Sequence, residues 1–168
     1  MANTYEAIAT VTVGSGGAAN IEFTSIPATY TDLVIKGSFR GTGTSYPNMY
    51  MDINSVTTNR SLRWLQGDGS GSVNSYSFTI PAIGTGNSSS QTANTFNNYE
   101  IYFPNYTNGN NKSFSVDSVT ENNASNSYLD LIAGLWSNAS AITSLKLYIN
   151  GQNLAQYSTA TLYGIKNS

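Results

Sequence analysis

Asp68, Ser70, Ser72 and Asn74 set oxygen-bearing side chains at alternate positions of the stretch DGSGSVN, the donor spacing with which a loop wraps a hard cation such as calcium. The pattern then breaks. Val73 stands where such a loop needs a sharp-turn glycine, and Thr79 stands where a bidentate Glu closes the site. A glycine hairpin or surface loop is the simpler reading. The remaining acidic groups, Glu6, Glu22, Asp32, Asp52, Glu100, Asp117, Glu121 and Asp130, are scattered singly. A glycosidase needs two carboxylates converging across a cleft, whereas most of these fall at the polar phase of a strand and read as solvated. The stretch GDGSG carries Gly69 where a nucleophile elbow needs its serine. No His is present to act as a base and no Cys to act as a nucleophile or soft metal ligand. The residues therefore read as those of a protein that is not an enzyme, with no catalytic, cofactor-binding or metal-ligating set.

What the chain does offer is aromatic contact surface among amides. GTSYPNMY places Tyr46, Pro47 and Tyr50 together, and YFPNYTNGNN sets Tyr102 and Tyr106 beside Asn108, Asn110 and Asn111. Tyr5 adds a further ring in the N-terminal segment Met1 to Ala7. Such Tyr and Asn mixtures stack on sugar rings or serve as rigid contact area at low entropic cost; they also simply cap the ends of a β-structure. Protein contact, glycan contact and mere capping all stay open, because Tyr enrichment marks interfaces without naming a partner.

Composition narrows the partners. Charged residues make up 10% of the 168-residue chain, against roughly 25% in an ordinary soluble domain, and Asn, Ser, Thr and Gly supply the polarity. With 7 Lys plus Arg and a net charge of -2, there is no basic stripe to displace counterions from a phosphate backbone, so nucleic acid is not an expected partner. No apolar run is long enough to span a bilayer as a helix, and no membrane partner is expected. The first residues carry Glu6 and no base before Lys36, which is unlike a secretory leader, so synthesis in a cytoplasm is expected. The sequons at Asn59, Asn87, Asn105, Asn111, Asn123 and Asn138 read as chance in so Asn-rich a chain.

The elements that must position these residues are strands. Alternation of period two dominates, and the 12 Tyr, the 6 Phe and many Thr and Val suit a pleated surface. YEAIATVTV and NIEF read as a hairpin joined by the Gly14 to Gly17 turn. In YTDLVIKGSFR, Leu33, Ile35 and Phe39 share one face and Asp32, Lys36 and Ser38 the other, a sheet with one wet side. Weaker strands follow at MYMDI, SLRWLQ and SYSFTIP, the last ended by Pro81. Stronger ones return at FNNYEIYF, KSFSVDSV, YLDLIAGLW, SLKLYIN and ATLYGI, separated by loops such as GTGNSSSQ and ENNASNS. The expected fold is all-β: one domain, an antiparallel two-sheet sandwich, jelly-roll-like, with little or no helix. A lectin-like barrel or an immunoglobulin-like order shows similar alternation.

Both ends of the chain carry a further signal. GSGGAANIEFTSIPATYTDLVIKGSFRG, with ITSLKLYI and ATLYGIKNS far downstream, resembles small jelly-roll-like virion structural proteins of tailed bacteriophages of aquatic hosts. The resemblance covers roughly Tyr5 to Arg40 and Ile142 to Lys166, with LIAGLW between them. It implies a capsid decoration or cement protein on the virion surface, bound to the major capsid protein as an oligomer, a homotrimer by expectation, and without a cofactor. The alternative it implies is a host-recognition, glycan-binding module of a tail or head fibre. The matched residues themselves read as scaffold, with Pro27 ending a strand at a corner.

Overall fold

The computed structural model describes residues 4–123 and 127–166. Among them lie twelve strands and no helix: β1 (Tyr5–Thr12), β2 (Ile21–Phe23), β3 (Asp32–Phe39), β4 (Asn48–Ile53), β5 (Arg60–Gly67), β6 (Val73–Phe78), β7 (Ala82–Thr85), β8 (Asn97–Phe103), β9 (Lys112–Thr120), β10 (Tyr128–Trp136), β11 (Leu145–Ile149) and β12 (Thr159–Ile165). They form two antiparallel sheets of unequal width, an eight-stranded one ordered β1-β12-β3-β8-β9-β10-β5-β6 and a four-stranded one ordered β2-β11-β4-β7. The expected two-sheet sandwich is what the chain builds.

The seam between the sheets holds the core. Ile21 and Phe23 of β2, Leu145, Leu147 and Ile149 of β11, and Met49, Met51 and Ile53 of β4 face Leu33, Ile35 and Phe39 of β3 and Leu162 of β12, all buried. Lys36, opposite in phase, lies outside and pairs with Glu100 at 3.1 Å. The two segments that carry the resemblance come together here. β1, β12 and β3 are neighbours, and β2 pairs with β11. The ring of Tyr30, from the IPATYTDL corner, covers the face of Gly164, from LYGI, so closely that a Cβ there would meet it at 2.3 Å. The corner is further tied by Asp32, whose carboxylate accepts from Tyr102 Oη at 2.9 Å and from the Asn105 backbone N–H at 2.8 Å. These motif residues hold the fold together.

Three expectations need correction. β1 and β2 are no hairpin: β1 pairs with β12 in the large sheet and β2 with β11 in the small one. The Gly14 to Gly17 segment still turns tightly, with the Gly17 N–H donating to the Gly14 carbonyl at 3.0 Å, but it carries the chain across the seam. A local turn signal does not say which partner strand follows. Second, the strand expected to run up to Pro81 already stops at Phe78, and a strand not expected from the sequence, β7, follows Pro81 and pairs with β4 in the other sheet. Third, not every carboxylate is solvated: Asp32, Asp52 and Asp130 are buried. Asp52 accepts from Lys146 at 2.7 Å and from Tyr148 Oη at 3.2 Å, the pairing that a buried charge requires.

Candidate functional site

Width decides where the molecule has surface to offer. The four-stranded sheet ends at β7, which lies over β9 and β10, so β5 and β6 extend past its edge. The inward Arg60, Leu62 and Trp64 of β5 are still buried, whereas the inward Tyr76 and Phe78 of β6 are left partly open. In register, Trp64 of β5 faces Tyr76 of β6, and Leu62 faces Phe78. Trp64 meets Tyr76 edge-on at 6.1 Å and Phe78 edge-on at 5.7 Å, while Tyr76 and Phe78 stack at 5.6 Å. The opposite wall is Tyr46 and Tyr128, in an edge contact at 5.8 Å. Between the walls runs a groove of about 260 Å³ whose polar lining is Asn48, Gln66 and Thr85.

The groove floor is wired to a polar cluster at the end of β7. Asp130 accepts four hydrogen bonds from neutral donors: Trp64 Nε1 at 2.8 Å, Gln66 Nε2 at 2.9 Å, the Thr85 N–H at 2.6 Å and Ser118 Oγ at 3.1 Å. Thr85 is the second hub. Its carbonyl accepts from Tyr99 Oη at 2.7 Å and Thr120 Oγ1 at 2.8 Å, and its hydroxyl accepts from Gln66 Nε2 at 2.8 Å. Complete burial, helped by the nearby Asp130 charge, pushes the Tyr99 hydroxyl well above its ordinary pKa. β7 reaches this arrangement through Gly84, whose φ of 136° suits glycine and whose missing side chain leaves room for Ser118 Oγ, 2.6 Å from where a Cβ would stand.

Outside the same strands lies an apolar patch. Leu131 of β10 is directly opposite Leu65 of β5, and Leu129 is opposite Val119 of β9. Leu65, Leu129 and Leu131 are 49%, 59% and 56% exposed, and Val73 of β6, on the same face, is 72% exposed. Four large apolar side chains are thus left to water on one face of neighbouring strands. A shallow cleft of about 310 Å³ adjoins it, lined by Asp68, Val119, Glu121 and Leu129.

The residues singled out from the sequence do not converge. Tyr5 lies on the outer face of β1, tilted against Tyr163 at 5.0 Å. Tyr50 stacks on Tyr148 at 5.6 Å, outside the small sheet. Tyr102 is held to Asp32 on the outside of the large sheet. Tyr46 reaches the groove, but its neighbour Pro47 is buried, which corrects its placement as a contact residue. Tyr106 needs the same correction: it is fully buried, with its hydroxyl donating to the Pro27 carbonyl. Asn108, Asn110 and Asn111 are exposed. The carbonyls of Asn108 and Asn110 are engaged by the buried Lys112 ammonium, with Lys112 Nζ to Asn108 O at 2.6 Å, and burial lowers the Lys112 pKa. That loop is an anchor for an internal cation. Met1–Asn3 of the expected N-terminal contact segment lie outside the described residues.

The DGSGSVN stretch is the β5–β6 turn. Asp68 accepts from the Ser70 N–H at 2.9 Å, and hydrogen bonding from the Ser70 side chain and backbone lowers its carboxyl pKa. Among the described residues no three acidic side chains gather as a metal site requires. Sequence reasoning missed Trp64, Gln66, Tyr76 and Tyr128, although RWLQ and SYSF each show two ring or amide side chains in one phase. The chain matches no protein-family model, no curated protein and no solved structure.

Proposed function

We propose that the chain is a non-catalytic virion structural protein, a decoration or cement protein that docks on a phage head shell as an oligomer. The observation that carries this reading is the uncovered apolar face of Leu65, Leu129, Leu131 and Val73. It sits on regular antiparallel strands rather than on loops, so docking orders few side chains and costs little entropy. Charges stand at its margin, with Asp117 opposite Leu131, Arg63 two residues from Leu65, and Asp68 and Glu121 in the adjoining cleft, as at the polar rim of a docking face. The resemblance of the two chain ends to phage virion proteins supplies the partner, the major capsid protein.

Mass action supplies the mechanism. A protein that binds the assembled lattice and not separated subunits stabilises the shell in proportion to affinity and occupancy, and an oligomer that spans several subunits multiplies the effect. The test uses phage heads prepared without this chain, to which it is added back. The expected result is co-sedimentation with the heads and greater resistance of the loaded heads to heat. A Leu65→Lys, Leu131→Lys double variant should retain its thermal unfolding midpoint and bind at least about tenfold more weakly, a loss of about 1.4 kcal/mol. Absence of wild-type retention, or undiminished retention of the variant, rejects the reading.

A further inference from the structure

We infer that the overhang groove is a binding site for one neutral pyranose unit of a saccharide, independent of the docking face. The groove is on the inner side of β5 and β6 and the apolar patch is on their outer side, so the two do not compete for the same atoms.

Its chemistry selects the ligand class. A pyranose presents faces of C–H bonds and a rim of hydroxyls, each at once a donor and an acceptor. Tyr76 is 37% exposed and is stacked with Phe78 at an interplanar angle of 22°, so the pair offers a flat, preset platform for such a face. The Tyr46 and Tyr128 rings, crossed at 80°, complete the aromatic lining. Gln66 is fixed by its two donated bonds to Asp130 and Thr85, which aims its carbonyl oxygen without further loss of freedom. Asn48 supplies both a donor and an acceptor. A concave site with aromatic walls and a few convergent polar groups is the general form of a small-ligand pocket.

Charge and size narrow the class further. The lining contains no Lys, Arg, Asp or Glu, and the carboxylate beneath it, Asp130, is already satisfied by four donors. An acidic sugar would bring a charge into a site with no cation to meet it. The volume of about 260 Å³ is below the range of roughly 300–1,000 Å³ for drug-sized pockets, so one ring enters and any attached chain runs out along the open end.

Trp64, in the groove wall, provides a reporter. The experiment titrates the full chain with glucose, galactose, mannose and N-acetylglucosamine, and with glucuronate as the charged control, following tryptophan fluorescence. At least one neutral sugar should give a saturable change with a dissociation constant in the range of about 1–50 mM, as expected for a single ring held by a few contacts. Tyr76→Ala should weaken it at least about tenfold, and Asn48→Ala, which leaves the aromatic platform in place, about threefold or more. Tyr5→Ala, on the far edge of the large sheet, should leave it unchanged. Circular dichroism melts of each variant separate lost binding from lost fold. No saturable response to any neutral sugar, glucuronate binding as tightly as the best neutral sugar, or equal weakening by Tyr5→Ala each overturns the inference.

Discussion

The sandwich has two halves that are held by different forces. The half built from the ends of the chain, β1, β2, β3, β11 and β12, is dry: Ile21, Phe23, Leu33, Ile35, Leu145, Leu147 and Leu162 meet across it. The half built from the middle, where β7 lies over β9 and β10, is wired, with Asp130 and Thr85 each gathering three or more hydrogen bonds. Apolar contact is non-directional and tolerates small shifts, so a wide sheet edge can be closed by it. Hydrogen bonds fix angles. The short strand β7 has only four residues with which to hold its edge, and the network gives it one position. That position also sets Gln66 and Trp64 in the groove. The two kinds of bonding therefore do different things, since the dry half stabilises the fold and the wired half holds a surface in shape.

The largest expected effect breaks the dry half. Leu147→Ala removes a fully buried side chain from the central strand pair of the small sheet, and should cost about 2–5 kcal/mol in chemical denaturation. Leu147→Met, which keeps volume, should cost less than about 1.5 kcal/mol. The wired half should show the reverse preference, for chemistry over shape. Asp130→Asn keeps shape but turns an NH₂ toward two of four donors, leaving buried N–H and O–H groups without an acceptor, at a cost of about 2–3 kcal/mol. Should Asp130→Asn cost no more than Leu147→Met, the contrast between the halves does not hold.

The sequence makes the dry half easy to read and the wired half hard, for a physical reason. In β3, Leu33, Ile35 and Phe39 share one phase, and the other holds Asp32, Lys36 and Ser38 with Val34 as its one apolar member, so the balance of the two phases assigns the inner face. In β10, YLDLIAGLW is apolar in both phases. Leu129 and Leu131 compete with Tyr128 and Ile132 for the core, and parity does not choose between them. The structure puts Asp130 inside because β9, β5 and β7 bring it four donors, none of them adjacent in sequence. The same nonlocality hides the groove. SYSF reads as an ordinary half-buried strand; only the difference between eight strands and four leaves its inner face uncovered. β7 escaped notice because AIGT is too short to alternate, and its Gly84 φ of 136° breaks the pattern by which strands are recognised. The Tyr and Asn clusters misled for the opposite reason, since Tyr106 is a core ring whose hydroxyl finds the Pro27 carbonyl, and composition does not distinguish such a ring from a surface one.

A smaller effect sharpens the comparison at the groove itself. Tyr76 lies on edge strand β6, whose residues are almost all exposed, so Tyr76→Ala should lower stability by about 1 kcal/mol or less even as it removes one wall of the groove. Gly84→Ala, at the welded end of β7, should cost more, about 1–3 kcal/mol, since the new Cβ collides with Ser118 and Tyr99 and the backbone conformation is strained for any other residue. Thermal melts of the two variants order them directly. A Tyr76→Ala loss equal to that of Gly84→Ala would mean that β6 is part of the welded core and not an overhang.

The finest test is alkaline. Tyr99, buried and close to Asp130, keeps its proton far above the ordinary value of 10.0, and burial with the nearby Asp52 charge pushes Tyr148, on the outer face of β11 in the dry half, up to about 12. Unfolding returns both to the ordinary value. Below pH 10 both states hold these protons and stability does not respond to them; above it the unfolded chain gives them up first, binds fewer protons than the folded chain, and gains relative to it. Stability should therefore fall as pH rises past about 10. Tyr148→Phe should remove the part of that fall that ends near pH 12, and Tyr99→Phe a further part that also begins near pH 10. Denaturation midpoints measured at rising pH, with tyrosinate absorbance recorded on the same samples, resolve the two. If Tyr99→Phe leaves the alkaline slope unaltered, the hydroxyl under β7 is not held in its protonated form by the fold, and the wired half is looser than its hydrogen bonds imply.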